Sequence, residues 1–133
     1  MILDTSALVA ILRGEPDRAS YSEALARSPR GVRAISAANF LETAIVLDRD
    51  PDPVPGRALD RLLRDEDIDV VAVTPEHARI ARAAYRDFGK GSGHAAALNY
   101  GDCFAYALAT ERSEPLLFKG DGFTHTDVRN ALG

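Results

Sequence analysis

Tryptophan is absent, and cysteine and methionine occur once each. Lysine appears only at Lys90 and Lys119, so arginine supplies the rest of the 16 basic residues. The lone Cys103 rules out an internal disulfide framework. With the histidines scattered at His77, His94 and His125, it also argues against a zinc site. No apolar run approaches the ~20 residues that a bilayer crossing needs, so no membrane association is expected. The opening Met1-Ile2-Leu3-Asp4 lacks the basic start of a secretory signal and carries an acid at its fourth position. Together with the single cysteine, this gives a cytoplasmic expectation. Positive charge is also in deficit: 16 basic against 20 acidic residues leave a net charge of −4. A generic, charge-driven nucleic-acid binder is therefore disfavoured. An enzyme that holds nucleic acid along a local basic strip is not.

What is present fits one globular domain spanning residues 1–133, with 46% hydrophobic and 27% charged residues. That length can bury a core without disulfides or a structural metal. The chain shows neither an internal repeat nor a linker dividing two domains. Ile2-Leu3 reads as a short strand, followed by a helix from Ser6 to Arg13 that Gly14 stops. A second helix spans Glu15 to Arg27, and Val32 to Ile35 reads as a strand. Ser36 caps a helix reaching about Arg49. The prolines of Asp50-Pro51-Asp52-Pro53-Val54-Pro55-Gly56 predict a connection, and Arg57 to Arg64 is helical. Val70 to Val73 reads as a buried strand. Thr74 and Pro75 then open a helix lasting to Phe88. Gly89 to Gly93 is expected to be a flexible loop, Asn99 opens a helix to about Arg112, and Pro115 to Phe118 is the last strand. Strands alternating with helices predict a three-layer α/β/α fold with a short, mostly parallel sheet. Function in such sheets gathers at the carboxyl ends of the strands.

Several acids stand where that edge is expected. Asp4 follows the first strand, where it serves equally as a helix cap. Glu42 has Ala38, Ile45 and Val46 as its helical neighbours, an apolar setting that a carboxylate enters only with a partner. Asp102 follows Asn99 by three residues, the spacing of a capping pair, in a first turn where the helix dipole favours an acid. Asp121 follows the last strand and Asp127 lies six residues on; both also suit turns. If these acids converge, two charges about 4 Å apart repel by roughly 4 kcal/mol at an effective dielectric near 20. Such a cluster requires a cation or raised pKa values. Oxygen-only ligands select hard ions such as Mg²⁺ or Mn²⁺. An ion held there would activate water and stabilise the oxygens of a phosphodiester under attack.

Arg79, Arg82, Arg86 and Lys90 recur at helical spacing and lead toward His94, forming a candidate RNA-binding strip. Arg57, Arg61 and Arg64 form a second strip. Each strip is also what the solvated face of an amphipathic helix looks like. The glycine-rich Gly89-Lys90-Gly91-Ser92-Gly93 is neither a P-loop nor a dinucleotide fingerprint.

Four segments in order carry a family resemblance. Met1-Ile2-Leu3-Asp4-Thr5-Ser6-Ala7 is similar to the opening of PIN-domain ribonucleases, and Phe40-Leu41-Glu42-Thr43-Ala44 resembles their internal glutamate helix. Phe88-Gly89-Lys90-Gly91, His94 and the run Leu98 to Ala109 around Asp102 resemble the VapC toxin branch. Leu117-Phe118-Lys119-Gly120-Asp121, Phe123 and Thr126-Asp127 resemble that branch's ending. The resemblance implies a PIN-like fold and a Mg²⁺- or Mn²⁺-dependent endoribonuclease that cleaves structured RNA such as tRNA or rRNA. It also implies Asp4, Glu42 and Asp102 as metal-binding acids, a cognate VapB-type antitoxin, and a homodimer. Ala95 stands where relatives often carry proline. Gly122 stands where they often carry an acid; the fourth catalytic and metal-binding acid is then expected to be Asp121, next to the strand end, with Asp127 as the alternative. The alternative is a PIN-like RNA- or protein-binding module with weak or no catalysis.

Overall fold

A sheet this short is built by residues that alternate strictly between two cores. The computed structural model describes residues 1–133. Its strands are β1 (Ile2–Leu3), β2 (Arg33–Ser36), β3 (Ile68–Val71) and β4 (Leu116–Leu117), in the order β3-β2-β1-β4. Every neighbouring pair is parallel. The helices are α1 (Thr5–Arg13), α2 (Arg18–Arg27), α3 (Ala37–Asp48), α4 (Val54–Asp65), α5 (Pro75–Phe88) and α6 (Tyr100–Arg112). Ile2, Ala34 and Leu116 enter the core shared with α5 and α6, whereas Leu3, Ile35 and Leu117 enter the core shared with α1 to α4. This period of two requires helices on both faces, the three-layer architecture expected from the sequence. No helix is long and apolar enough to cross a membrane.

Helix ends bring side chains to the carboxyl edge of the sheet. Asp4, one residue past β1, caps α1. Ser36, the last residue of β2, caps α3. Asn99 and Asp102 form a reciprocal capping box on α6. The register Leu3↔Leu117 places the ends of β1 and β4 side by side, and the Asp4 amide donates to the Leu117 carbonyl at 3.0 Å.

Three elements and one loop differ from the sequence expectation by more than a residue. α2 begins at Arg18 rather than Glu15, because Pro16 and Asp17 lie in a turn. α4 begins at Val54, inside the proline-rich stretch expected to be a connection. Pro55 falls in its first turn, where the missing N–H leaves nothing unpaired. β3 runs from Ile68 to Val71 rather than from Val70 to Val73. It is an edge strand, so Val70 is 46% exposed instead of buried. The glycine loop is pinned rather than free. Lys90 N–H donates to the Leu98 carbonyl at 2.7 Å and Leu98 N–H to the Phe88 carbonyl at 2.9 Å. The His94 ring stands edge-on to Phe88 at 5.0 Å.

Candidate active site

A cleft of about 350 Å³ opens at the carboxyl ends of β1 and β4. Asp4, Glu42 and Asp102 line it, with Glu15, Thr5, Ser6, Asn99 and Lys119. Three elements thus converge: the β1–α1 junction supplies Asp4, α3 supplies Glu42, and the first turn of α6 supplies Asp102.

Asp4 is buried. Its Oδ2 accepts from the Ser6 amide at 3.0 Å and from the Ser6 hydroxyl at 2.5 Å. Ser6 Oγ in turn accepts from the Lys119 amide at 2.9 Å, which ties Asp4 to the end of β4. Asp4 Oδ1 is buried with no partner. Burial pushes the Asp4 carboxyl up to about 6, against the Ser6 hydrogen bonds; the charges of Asp102 and Glu42 push it the same way as burial. Asp102 is raised mainly by burial, with Glu42 adding to it and the Asn99 amide opposing. That amide donates to Asp102 Oδ2 at 2.9 Å, while the Asp102 amide donates to Asn99 Oδ1 at 2.8 Å. Asp102 therefore caps its helix and lines the cleft at once.

Glu42 is half-buried. Its Oε1 accepts from the Thr5 hydroxyl at 2.6 Å and from Asn39 Nδ2 at 3.4 Å. Cys103, next to Asp102, is held protonated: burial, with help from the Asp102 charge, pushes its thiol up to about 11. That disfavours a thiolate nucleophile.

The remaining sequence candidates stand elsewhere. Asp121 is exposed and begins the short turn Gly122–His125, outside the residues lining the cleft. Asp127 Oδ1 accepts from the Tyr106 hydroxyl at 2.8 Å and lines a separate cavity with Thr110, Ser113 and Glu114. The structure brings neither to Asp4. The bond to Tyr106 holds Asp127 against the middle of α6. Arg79, Arg82 and Arg86 lie exposed on α5. Arg79 pairs with Glu76 at 3.3 Å and Arg86 with Asp87 at 3.1 Å. Arg82 instead rims a mostly apolar cleft with Tyr85, Tyr100 and Phe104, around the first turn of α6 from Asp102. Lys90 is exposed. His94 Nδ1 accepts from the Ala96 amide at 3.1 Å, which makes that side chain a staple of its own loop.

Lys119 in the cleft and Asn39 buried behind it lie outside the sequence candidates. Lys119 is the cation among the lining residues, and its ammonium bridges Glu15 at 2.5 Å and Asp17 at 2.9 Å. Its place one residue beyond a predicted strand end was the available signal. Asn39 is fully buried and bonds Glu42 and the first turn of α6. Its signal was a lone amide three residues before Glu42, on the same helix face.

The family model described as PIN domain matches residues 1–129. The chain belongs to the PIN-domain family. Ribonuclease VapC28 of Mycobacterium tuberculosis is 58% identical over 132 residues, covering 99% of this chain and 98% of that protein. Ribonuclease VapC42 of the same organism is 52% identical over 131 residues, covering 98% of each. Within the family the chain falls among the VapC ribonucleases. Among solved structures, M. tuberculosis VapC20, described as a sarcin–ricin loop cleaving toxin, superposes with a TM-score of 0.75 at 16% identity, covering 96% of this chain and 95% of that one. A toxin–antitoxin complex from Klebsiella pneumoniae gives 0.74 at 17% identity, covering 98% and 96%. At such identities these two speak for the fold alone.

Proposed function

We propose that this protein is a divalent-metal-dependent endoribonuclease toxin that cleaves structured RNA at the Asp4–Glu42–Asp102 cleft and is restrained by a VapB-type antitoxin. The observation that carries the reading is the buried, unpartnered Oδ1 of Asp4, in a cleft that also gathers Glu42 and Asp102. A buried carboxylate oxygen with no donor is costly unless a proton or a cation meets it. The donors are all oxygens, which suits Mg²⁺ or Mn²⁺. No three acidic, histidine or cysteine side chains close into a cage. An ion there would therefore be held by one or two carboxylates and keep several waters.

A bound Mg²⁺ or Mn²⁺ would lower the pKa of water and neutralise charge on the phosphodiester. Asp4 and Asp102 would hold it, directly or through water. Glu42 keeps Oε1 on Thr5 and Asn39, so its other oxygen is left to orient the attacking water. Water attack in line with the departing 3′-oxygen leaves a 5′-phosphate and a 3′-hydroxyl. Arg82, which has no carboxylate partner on its helix, and the exposed Lys90 would hold the RNA backbone. The likeness to VapC ribonucleases supports an antitoxin partner. Exposed apolar side chains near the cleft, Leu41 and Ile45 on α3 and Tyr100 on α6, support protein contacts there, an antitoxin or a second copy in a homodimer.

The test is cleavage of a cellular RNA pool by the inhibitor-free protein with Mn²⁺, with Mg²⁺ or with EDTA, followed by end analysis. Discrete metal-dependent cuts with 5′-phosphates are expected. Products ending in 2′,3′-cyclic phosphate require attack by the ribose hydroxyl and would overturn the mechanism. Absence of cuts would return the chain to a binding role. Arg82→Glu is expected to weaken RNA binding and to lower the slope of log affinity against log salt by about 1, the signature of one lost phosphate contact. An unchanged slope, measured by filter binding across salt concentrations, removes Arg82 from the RNA path.

A further inference from the structure

Asn39 is 0% exposed, and its side chain reaches across from α3 to α6. Nδ2 donates to the Gly101 carbonyl at 2.9 Å and to Glu42 Oε1 at 3.4 Å. Both partners are acceptors only, so the amide nitrogen must face them and Oδ1 must face away. Asn39 Oδ1 is accordingly buried without a partner. The Asn39 backbone is fixed as well, since its carbonyl accepts from the Thr43 hydroxyl at 2.7 Å.

Gly101 meets this contact from the other side. A Cβ placed on it would fall 2.2 Å from Glu42 Oε2 and 2.8 Å from Glu42 Cδ. Its φ is not positive, so no backbone strain calls for glycine. Glycine is a poorer helix former than alanine, so its presence in the first turn of α6 disfavours that helix on local grounds. Space for the Glu42 carboxylate is the reason that remains. Gly101 immediately precedes Asp102, so the Glu42 carboxylate packs against the residue beside Asp102, and its charge acts on Asp102.

We infer that Asn39 and Gly101 are positioning residues whose contact fixes the spacing of Glu42 from Asp102, and through it the ion-binding geometry of the cleft. This rests on the functional reading above and deepens it.

The experiment is a double-mutant cycle on the full chain: Gly101→Ala, Glu42→Asp and both together. Three readouts are taken: Mn²⁺ affinity without RNA, RNA cleavage, and thermal midpoint without metal. Gly101→Ala is expected to lower Mn²⁺ affinity about tenfold or more and cleavage by about 10–100-fold, as displaced ligands and supports do. In the Glu42→Asp background, where the side chain is one methylene shorter, the same alanine should cost nothing further in Mn²⁺ affinity. It should there raise the thermal midpoint, as an unhindered Gly→Ala does in a helix. Equal losses of Mn²⁺ affinity in both backgrounds would overturn the inference, as would wild-type affinity in Gly101→Ala. The thermal readout needs neither ion nor RNA. A wild-type protein that binds Mn²⁺ but cuts no RNA therefore defeats the functional reading while leaving this cycle decisive. Asn39→Ala is the second variant: it frees the Glu42 carboxylate without crowding it. A several-fold loss of Mn²⁺ affinity is expected, and unchanged affinity would overturn the role of Asn39.

Discussion

Asp4→Asn is expected to reduce RNA cleavage by roughly 10²–10³-fold while making the metal-free protein more stable at pH 7. The two effects share one cause. Asparagine is nearly isosteric with aspartate, so the fold has no reason to rearrange. Both Ser6 donors aim at Oδ2, so the amide must place its oxygen there. Its NH₂ then occupies the place of the unpartnered Oδ1. A donor replaces an acceptor at the point where a cation would bind, and a charge is lost from the ligand set. Several kcal/mol of transition-state stabilisation go with the ion, at about 1.4 kcal/mol for each factor of ten. The gain in stability follows because the buried carboxylate, whose ionisation burial opposes, is gone. Cleavage within a few-fold of wild type would remove Asp4 from the chemistry. Wild-type cleavage rates beside a raised thermal midpoint would leave Asp4 as a helix cap alone.

The strands around Ile2-Leu3, Ala34-Ile35 and Leu116-Leu117 are readable because each is a short apolar run bounded by turn or capping residues, whereas their alternation between two cores shows only in the assembled sheet. Asp4 and Asp102 are readable because capping chemistry leaves a mark within three residues, and Glu42 because a carboxylate stands among Ala38, Ile45 and Val46 on one helix face. β3 was misplaced because its position at the sheet edge is a property of the assembled sheet. Nothing in Val70-Val71-Ala72-Val73 tells an edge strand from a buried one. The Pro53 and Pro55 stretch was misread because proline breaks a helix interior but suits a helix start, and only the start position separates the two. The preference for Asp121 over Asp127 as fourth acid rests on its nearness to a strand end alone, whereas a loop's direction depends on contacts distant in sequence, such as Tyr106 to Asp127. Asn39 was invisible as a site residue because its partner, the Gly101 carbonyl, belongs to another helix.

Without metal, the protein is expected to lose stability as pH rises from about 4 to about 7, and Mn²⁺ is expected to cancel that loss. The Asp4 carboxyl has its ordinary pKa of 3.8 in the unfolded chain and about 6 in the folded one. Between those values the folded state keeps a proton that the unfolded state has released. Stability from this group is therefore complete below 3.8 and disappears as pH passes through about 6. The shift amounts to about 3 kcal/mol, or about 10 °C in thermal midpoint for a domain of this size. Asp102, also raised, acts in the same direction. Asp17 runs the other way: the Lys119 hydrogen bond lowers its pKa. Its contribution is lost only as pH falls below the ordinary carboxylate range, outside this window. A divalent ion requires the deprotonated acids, so it competes with the proton and binds the folded state better as pH rises. Midpoints taken from pH 4 to 8 with EDTA and with millimolar Mn²⁺ should thus diverge steadily above pH 5. Asp4→Asn should flatten the EDTA curve and shrink the Mn²⁺ effect together. Equal pH slopes for the wild type and Asp4→Asn in EDTA would show that Asp4 is not the titrating group. A Mn²⁺ effect that survives the substitution intact would place the ion away from Asp4.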